Sequence, residues 1–209
     1  MTIRTVGIIG AGKLGTAIGR LAATAGLSTL ITSRPSPMLP VIVGSVLPEA
    51  ELVDWDRLAE LEERADAVVL AVPATGVADL DLSHARGTVI DATNPWEATG
   101  TADAGAGVPD TTPALDPAHD LDLHVARALN HVSYEELLGS ARTPEQGGAR
   151  RALAVVSDDP VALATASELV DRLGFDAVAV PEEKAGPFRP DGRLFGAWLD
   201  AGQLAAAVA

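Results

Sequence analysis

Three glycines within the first fifteen residues form the pattern with the clearest chemical meaning. Gly10-Ala11-Gly12-Lys13-Leu14-Gly15 spells G-x-G-x-x-G, a spacing in which each glycine has its own task. Gly10 permits a tight turn, Gly12 lets a pyrophosphate approach the backbone, and Gly15 lets a helix pack closely on a strand. The free N–H groups and positive dipole end of the following helix then face the phosphates. The competing reading is a plain βα turn with no ligand.

The second informative feature is a missing acid. A NAD site places Asp or Glu about 20 residues past the motif, where it accepts from the ribose 2′-OH. No carboxylate occurs before Glu49, and Thr32-Ser33-Arg34 occupies the expected place. Two hydroxyls and a guanidinium suit a 2′-phosphate, so the residues predict NADP(H). Removing the guanidinium with Arg34→Ala is expected to cost about 1.5–3 kcal/mol of NADPH binding. An ordinary surface arginine would cost nothing.

Other candidates carry less. His84, His119, His124 and His131 show no metal-ligand spacing, so no metal site is expected. The absence of cysteine excludes disulfides, thiolate nucleophiles and Cys-ligated zinc. Asp158-Asp159 is followed by Pro160, which favours helix capping over paired-carboxylate chemistry. Asp91 reads as a strand-end residue bonding nearby N–H groups. His131 has two open readings, a hydrogen-bond or proton donor near a reacting ring or a packed histidine. Trp96, Phe188, Phe195 and Trp198 supply either an apolar wall for a ring system or ordinary packing. Arg189 and Arg193 sit in a Pro/Gly-rich stretch as acceptor-binding or plain surface cations.

The elements that must position these residues alternate. Ile3 to Ile9 reads as a buried strand, and Leu14, Ile18, Leu21, Ala22 and Ala25 follow helical spacing up to Gly26. Strands are expected at 30–32, 52–55, 67–72, 88–91, 123–129, 151–156 and 177–180. Helices are expected at 38–46, at 56–64 with Asp56 as N-cap, after Ser133, and from Asp159-Pro160 to Gly174. This alternation predicts an α/β, Rossmann-type, doubly wound and mostly parallel sheet with a C-terminal αβ extension from about residue 123. The whole chain, 1–209, reads as one domain. Residues 97–122 interrupt the pattern with six acids, three prolines and no Lys or Arg, as a surface loop does.

Charge sharpens the picture. The chain has 15 Lys and Arg against 29 Asp and Glu, a net charge of −14. That argues against nucleic acid. The first 48 residues hold four bases and no acid, so this quarter receives a small anion despite the overall sign. No apolar run approaches a membrane span or a signal peptide, and a cytoplasmic protein without a membrane partner is expected.

Five motifs occur in order: Gly10–Gly15, Thr32-Ser33-Arg34, Ala71-Val72-Pro73, Asp91-Ala92-Thr93-Asn94-Pro95 and Ala128-Leu129-Asn130-His131. In these the chain resembles the NADP oxidoreductases that use coenzyme F-420, an 8-hydroxy-5-deazaflavin, and the related reductase domain of the STEAP metalloreductases. The resemblance covers nearly the whole chain. It implies NADP phosphates on Gly10, Ala11, Gly12, Lys13, Leu14 and Gly15, with the 2′-phosphate on Thr32, Ser33 and Arg34. It implies that Ala71, Val72 and Pro73 lie beside the ribose and nicotinamide end. It also implies that Asn94, Pro95, Asn130 and His131 face the cleft where the second cofactor stacks. Two departures are the acidic stretch 97–122 and Arg127, where the family often has lysine.

The expected activity is therefore hydride transfer between NADP(H) and coenzyme F-420. Such transfer needs ring alignment and exclusion of water more than a protein acid or base. The alternatives are reduction of a flavin, quinone, imine or small carbonyl compound as the hydride acceptor, or a noncatalytic NADPH sensor. Imine and hydroxy-acid relatives use a large helical domain after the Rossmann unit, and the residues beyond Asn130 are mostly taken up by a further αβ unit. Leu194, Trp198, Leu204 and Val208 pack on their own domain or on another subunit. The resemblance implies a homodimer.

Overall fold

Short runs of β-branched and aliphatic residues build the sheet, because a strand covered on both faces must be apolar on both. The computed structural model describes residues 2–94, 123–143 and 146–209. Strand β1 (Thr5–Ile9) leads into helix α1 (Lys13–Thr24) and strand β2 (Ser28–Thr32). Helix α2 (Leu39–Val46), strand β3 (Glu51–Leu52), helix α3 (Leu58–Arg64), strand β4 (Ala67–Leu70) and strand β5 (Thr88–Asp91) follow. The remaining elements are β6 (Val125–Arg127), α4 (Tyr134–Ser140), β7 (Ala152–Val156), α5 (Pro160–Arg172), β8 (Asp176–Val180) and α6 (Ala201–Val208).

The eight strands form one sheet in the order β3-β2-β1-β4-β5-β6-β7-β8. All neighbours are parallel except β6 and β7, which meet antiparallel through Arg127 and Val156. The Rossmann-type, mostly parallel sheet read from the sequence is what forms. The order reverses at β1, whose neighbours are β2 and β4, and such a reversal opens a crevice at the carboxyl ends of the strands.

Alternation along each strand divides the core. Ile8, Ile31, Val69 and Ile90 point to the face covered by Ile18, Leu169 and Phe175. Ile9, Leu30, Val68, Leu70 and Val89 point to the face covered by Leu61. A third cluster joins Ala154, Val156 and Val180 to Phe188, Leu194 and Leu204. The C-terminal segment therefore packs on its own domain, while Trp198 stays about half exposed. Helix α2 buries Val43 and leaves Met38, Val41, Ile42 and Val46 exposed.

Caps account for several boundaries. Ser133 and Glu136 form a capping box on α4, and the Asp159 carboxylate accepts from the N–H groups of Val161 and Ala162 at the start of α5. Other boundaries differ from the sequence expectation. The expected strand at 52–55 stops at Leu52, because Trp55–Arg57 turns into a 3₁₀ helix. Asp56 lies inside that turn and is not its cap. The expected strand at 123–129 shrinks to Val125–Arg127, and Leu129 adopts φ 65°. That left-handed conformation ends the strand and is held by complete burial of the Leu129 side chain.

Candidate dinucleotide-binding site

The turn after β1 is shaped by what its glycines lack. Gly10 has φ 118°, donates its N–H to the Thr32 carbonyl at 2.8 Å, and would place a β-carbon 2.4 Å from the Ala71 carbonyl oxygen. A β-carbon at Gly15 would lie 1.9 Å from the carbonyl oxygen of Gly10. Around Gly12 nothing lies within 4 Å of such an atom. The first and third glycines are thus packed against backbone, and the middle one opens to free space. Gly12 is also the N-cap of α1, with no side-chain cap and no acid in the first turn. That leaves the helix N-terminus available to an anion. Lys13 stands beside it with its Nζ 5.2 Å from the centre of the Tyr134 ring.

Beyond β2 the three residues expected at a 2′-phosphate separate. Thr32 is fully buried and its Oγ1 has no partner among the described residues. Its carbonyl holds the Gly10 turn, and its hydroxyl is enclosed. Ser33 and Arg34 reach the surface. Arg34 Nη2 donates to Asp79 Oδ2 at 2.9 Å. Asp79 ends the 3₁₀ segment Ala74–Asp79 that follows β4. Ala71 and Val72 are half-buried and Pro73 is exposed, between the end of β4 and that segment. Ala11 and Leu14 are half-buried on the same side as the α1 core.

At β5 and β6 the candidate residues are drawn inward. Asp91 Oδ1 accepts from the Thr93 N–H at 2.8 Å, and its Oδ2 lies 3.4 Å from Arg127 Nη1. Arg127 also donates to the Thr93 carbonyl at 3.1 Å. Asn94 Nδ2 donates to the Asn130 carbonyl at 2.5 Å. Asn94 and Asn130 are both buried; they fasten the carboxyl ends of β5 and β6 to one another. Pro95, Trp96, His119 and the stretch 97–122 lie outside the described residues.

His131 resolves to the packed reading. It is 2% exposed, and its Nε2 accepts from the Ala154 N–H at 3.2 Å. Phe188 meets the ring edge-on at 5.2 Å between centroids. Burial, with the Arg151 and Arg127 charges nearby, pushes its pKa down to about 3. At neutral pH the ring enclosed between β7 and Phe188 is uncharged, with Nε2 as an acceptor and its one proton on Nδ1.

Three residues have partners that the sequence does not signal. Asp79 lies 45 positions from Arg34, and only the β2-β1-β4 order brings the two together. Arg151 is fully buried, donates to the carbonyls of Gly196 and Ala197 at 3.1 and 2.9 Å, and lies 3.3 Å from Glu136. Glu62 is buried on α3, and burial pushes its carboxyl up to about 7. Its Oε2 accepts from the His84 N–H at 3.2 Å. Among the described residues no group of three His, Asp or Glu side chains is placed to hold a metal ion, and no helix is long and apolar enough to cross a membrane. Arg193 is taken up by the Ala207 carbonyl at 2.6 Å.

Strand order, crossover helices and the glycine turn define a Rossmann-type domain. Comparison with known proteins adds relatives to that class. Residues 1–79 match the family described as D-isomer specific 2-hydroxyacid dehydrogenase, NAD binding domain. A search of curated proteins gave no match. Among solved structures, a hypothetical protein from Sinorhizobium meliloti superposes with a TM-score of 0.73 at 23% identity, over 96% of each chain. The imine reductase from Myxococcus stipitatus, in complex with NADP+, has a TM-score of 0.58 at 16% identity, over 98% of this chain and 59% of its own. The 3-hydroxyisobutyrate dehydrogenase of Mycobacterium tuberculosis has a TM-score of 0.57 at 16% identity, over 87% of this chain and 55% of its own. This chain thus spans little more than half the length of either enzyme. These likenesses show a Rossmann-type fold.

Proposed function

We propose that the protein is an NADP(H)-dependent oxidoreductase that exchanges a hydride with coenzyme F-420. The observation that carries the cofactor half of this reading is the division of labour at the glycines: Gly10 and Gly15 are closed against backbone, and Gly12 faces open space at an uncapped helix end. In this reading Gly10 to Gly15 hold the pyrophosphate and Ser33 and Arg34 take the 2′-phosphate. Ala71, Val72 and Pro73 line the path toward the nicotinamide.

The acceptor half rests on the family resemblance of the Asn94-Pro95 and Asn130-His131 motifs. Asn94, Asn130 and Arg127 act by fixing the carboxyl ends of β5 and β6, where the second ring system is received. When bound, NADPH would supply the hydride and the deazaflavin would accept it, with the balancing proton drawn from solvent. The side chains supply alignment and exclusion of water. The protein is proposed to work in the cytoplasm as a homodimer.

Mixing the purified protein with NADPH and oxidised coenzyme F-420 tests the assignment. The expected result is stoichiometric loss of NADPH and of oxidised deazaflavin. Turnover with a free flavin or quinone and none with the deazaflavin would replace the acceptor; NADPH binding without turnover on either would leave a sensor.

A further inference from the structure

Rossmann sites are commonly distinguished by one residue after the second strand, an acid for a ribose 2′-OH or a base for a 2′-phosphate. Here the fold supplies both. Arg34, in the loop after β2, donates from Nη2 to Asp79 Oδ2 at 2.9 Å. The same nitrogen lies 3.7 Å from where a β-carbon would stand on Gly76, so the guanidinium rests along the turn that follows β4. Since β1 lies between β2 and β4 in the sheet, this pair bridges the two loops across the carboxyl end of β1. The glycine turn Gly10–Gly12 starts at that same strand end. The side chains of Arg34 and Asp79 are 66% and 71% exposed, which leaves both open to an incoming ligand.

We infer that Asp79 is a specificity-determining residue, and that the Arg34–Asp79 pair makes the adenosine end of the site ambivalent between NADP(H) and NAD(H). The inference rests on the proposed function, because it assigns the 2′ position of that same cofactor. The carboxylate lessens the advantage that Arg34 gives a 2′-phosphate: it occupies one guanidinium nitrogen and repels the phosphate charge. With a cofactor lacking the phosphate, Asp79 is the acceptor for the ribose 2′-OH that residues 1–48 do not provide. A full NADP site needs the arginine without the acid, and a full NAD site needs the acid without the arginine.

Titration of the whole protein with NADPH, NADH, 2′,5′-ADP and 5′-AMP, for wild type, Asp79→Asn, Asp79→Ala and Arg34→Ala, tests this. Wild type is expected to bind NADPH and NADH within about tenfold of one another. Both Asp79 variants should bind NADPH and 2′,5′-ADP about fivefold more tightly, the effect of one charge on a dianion near a wet surface. The gain should shrink with added salt. Asp79→Ala should bind NADH and 5′-AMP about fivefold more weakly, and Arg34→Ala should reverse the preference toward NADH. A merely structural ion pair would shift all four ligands together. Unchanged NADPH and NADH affinities in both Asp79 variants overturn the inference alone. Failure of wild type to bind any of the four overturns the proposed function, and this inference with it.

Discussion

The two ends of the sheet treat polar and small residues in opposite ways. At β1, β2 and β4 the site is made of backbone and open space: a β-carbon on Gly12 would meet nothing within 4 Å, Ser33 is half-buried and Arg34 is exposed. At β5, β6 and β7 the equally suggestive residues Asn94, Asn130 and His131 are buried and occupied with one another or with neighbouring backbone. One end is shaped to receive something, and the other is shaped to stay fixed while it does so. A polar residue in a motif therefore says little about chemistry until its partners are known.

The contrast breaks hardest at the glycines. Gly15→Ala pushes a methyl group into the Gly10 carbonyl and is expected to cost about 3 kcal/mol or more, seen as a large drop in melting temperature. Gly12→Ala has room and a φ of −81° that alanine adopts freely. Its folding cost is expected to stay under about 1 kcal/mol while NADPH affinity falls at least tenfold. Equal destabilisation by the two variants would erase the distinction drawn between packed and open glycines.

At the fixed end, His131→Ala removes a buried ring and the acceptor for Ala154 N–H. A loss of about 2–4 kcal/mol is expected from the cavity and the orphaned donor, with the shape of the pH–rate profile unchanged. His131 also gives the wild type an acid limb. In the unfolded chain it titrates near 6.5 and in the fold near 3, so protonation favours unfolding. Its contribution is complete above about pH 6.5 and declines as pH falls toward 3, by up to about 1.4 kcal/mol per unit. Denaturant titrations of wild type and His131→Phe between pH 7 and 4 should show the slope in the first and a shallower one in the second.

Glu62 acts in the other direction. Its carboxyl is raised to about 7 from the ordinary 4.5 of a free glutamate, so the unfolded chain loses this proton first. Stability from the neutral form is complete below about 4.5 and is lost as pH rises through 7. Glu62→Gln should raise the melting temperature at pH 8 and leave it nearly unchanged at pH 4. The smallest folding effect belongs to Arg34→Ala, since an exposed ion pair contributes under about 1 kcal/mol. Its melting curve should overlay the wild type.

Much of this organisation was legible in order along the chain. The glycine turn, the capping residues Ser133 and Asp159 and the apolar strands are local features, governed by spacing of a few residues. The carboxyl ends of the strands were harder to read, because partners there are chosen by the sheet order. Nothing near Arg34 in sequence announces Asp79, and nothing near His131 announces Phe188 or Ala154. Arg151 looked like an unremarkable strand opening, yet the C-terminal carbonyls of Gly196 and Ala197 close over it. Leu129 shortened its strand by a backbone conformation that no leucine signals in advance.

The central claim, that the β1–α1 turn is a built cofactor site and not merely a tight connection, is tested most directly by calorimetric titration of NADPH into wild type and Gly12→Ala. Saturable one-site binding is expected for the wild type, lost or weakened at least tenfold in a variant whose stability falls by less than about 1 kcal/mol. Equal binding by both proteins, or none by the wild type, would contradict it.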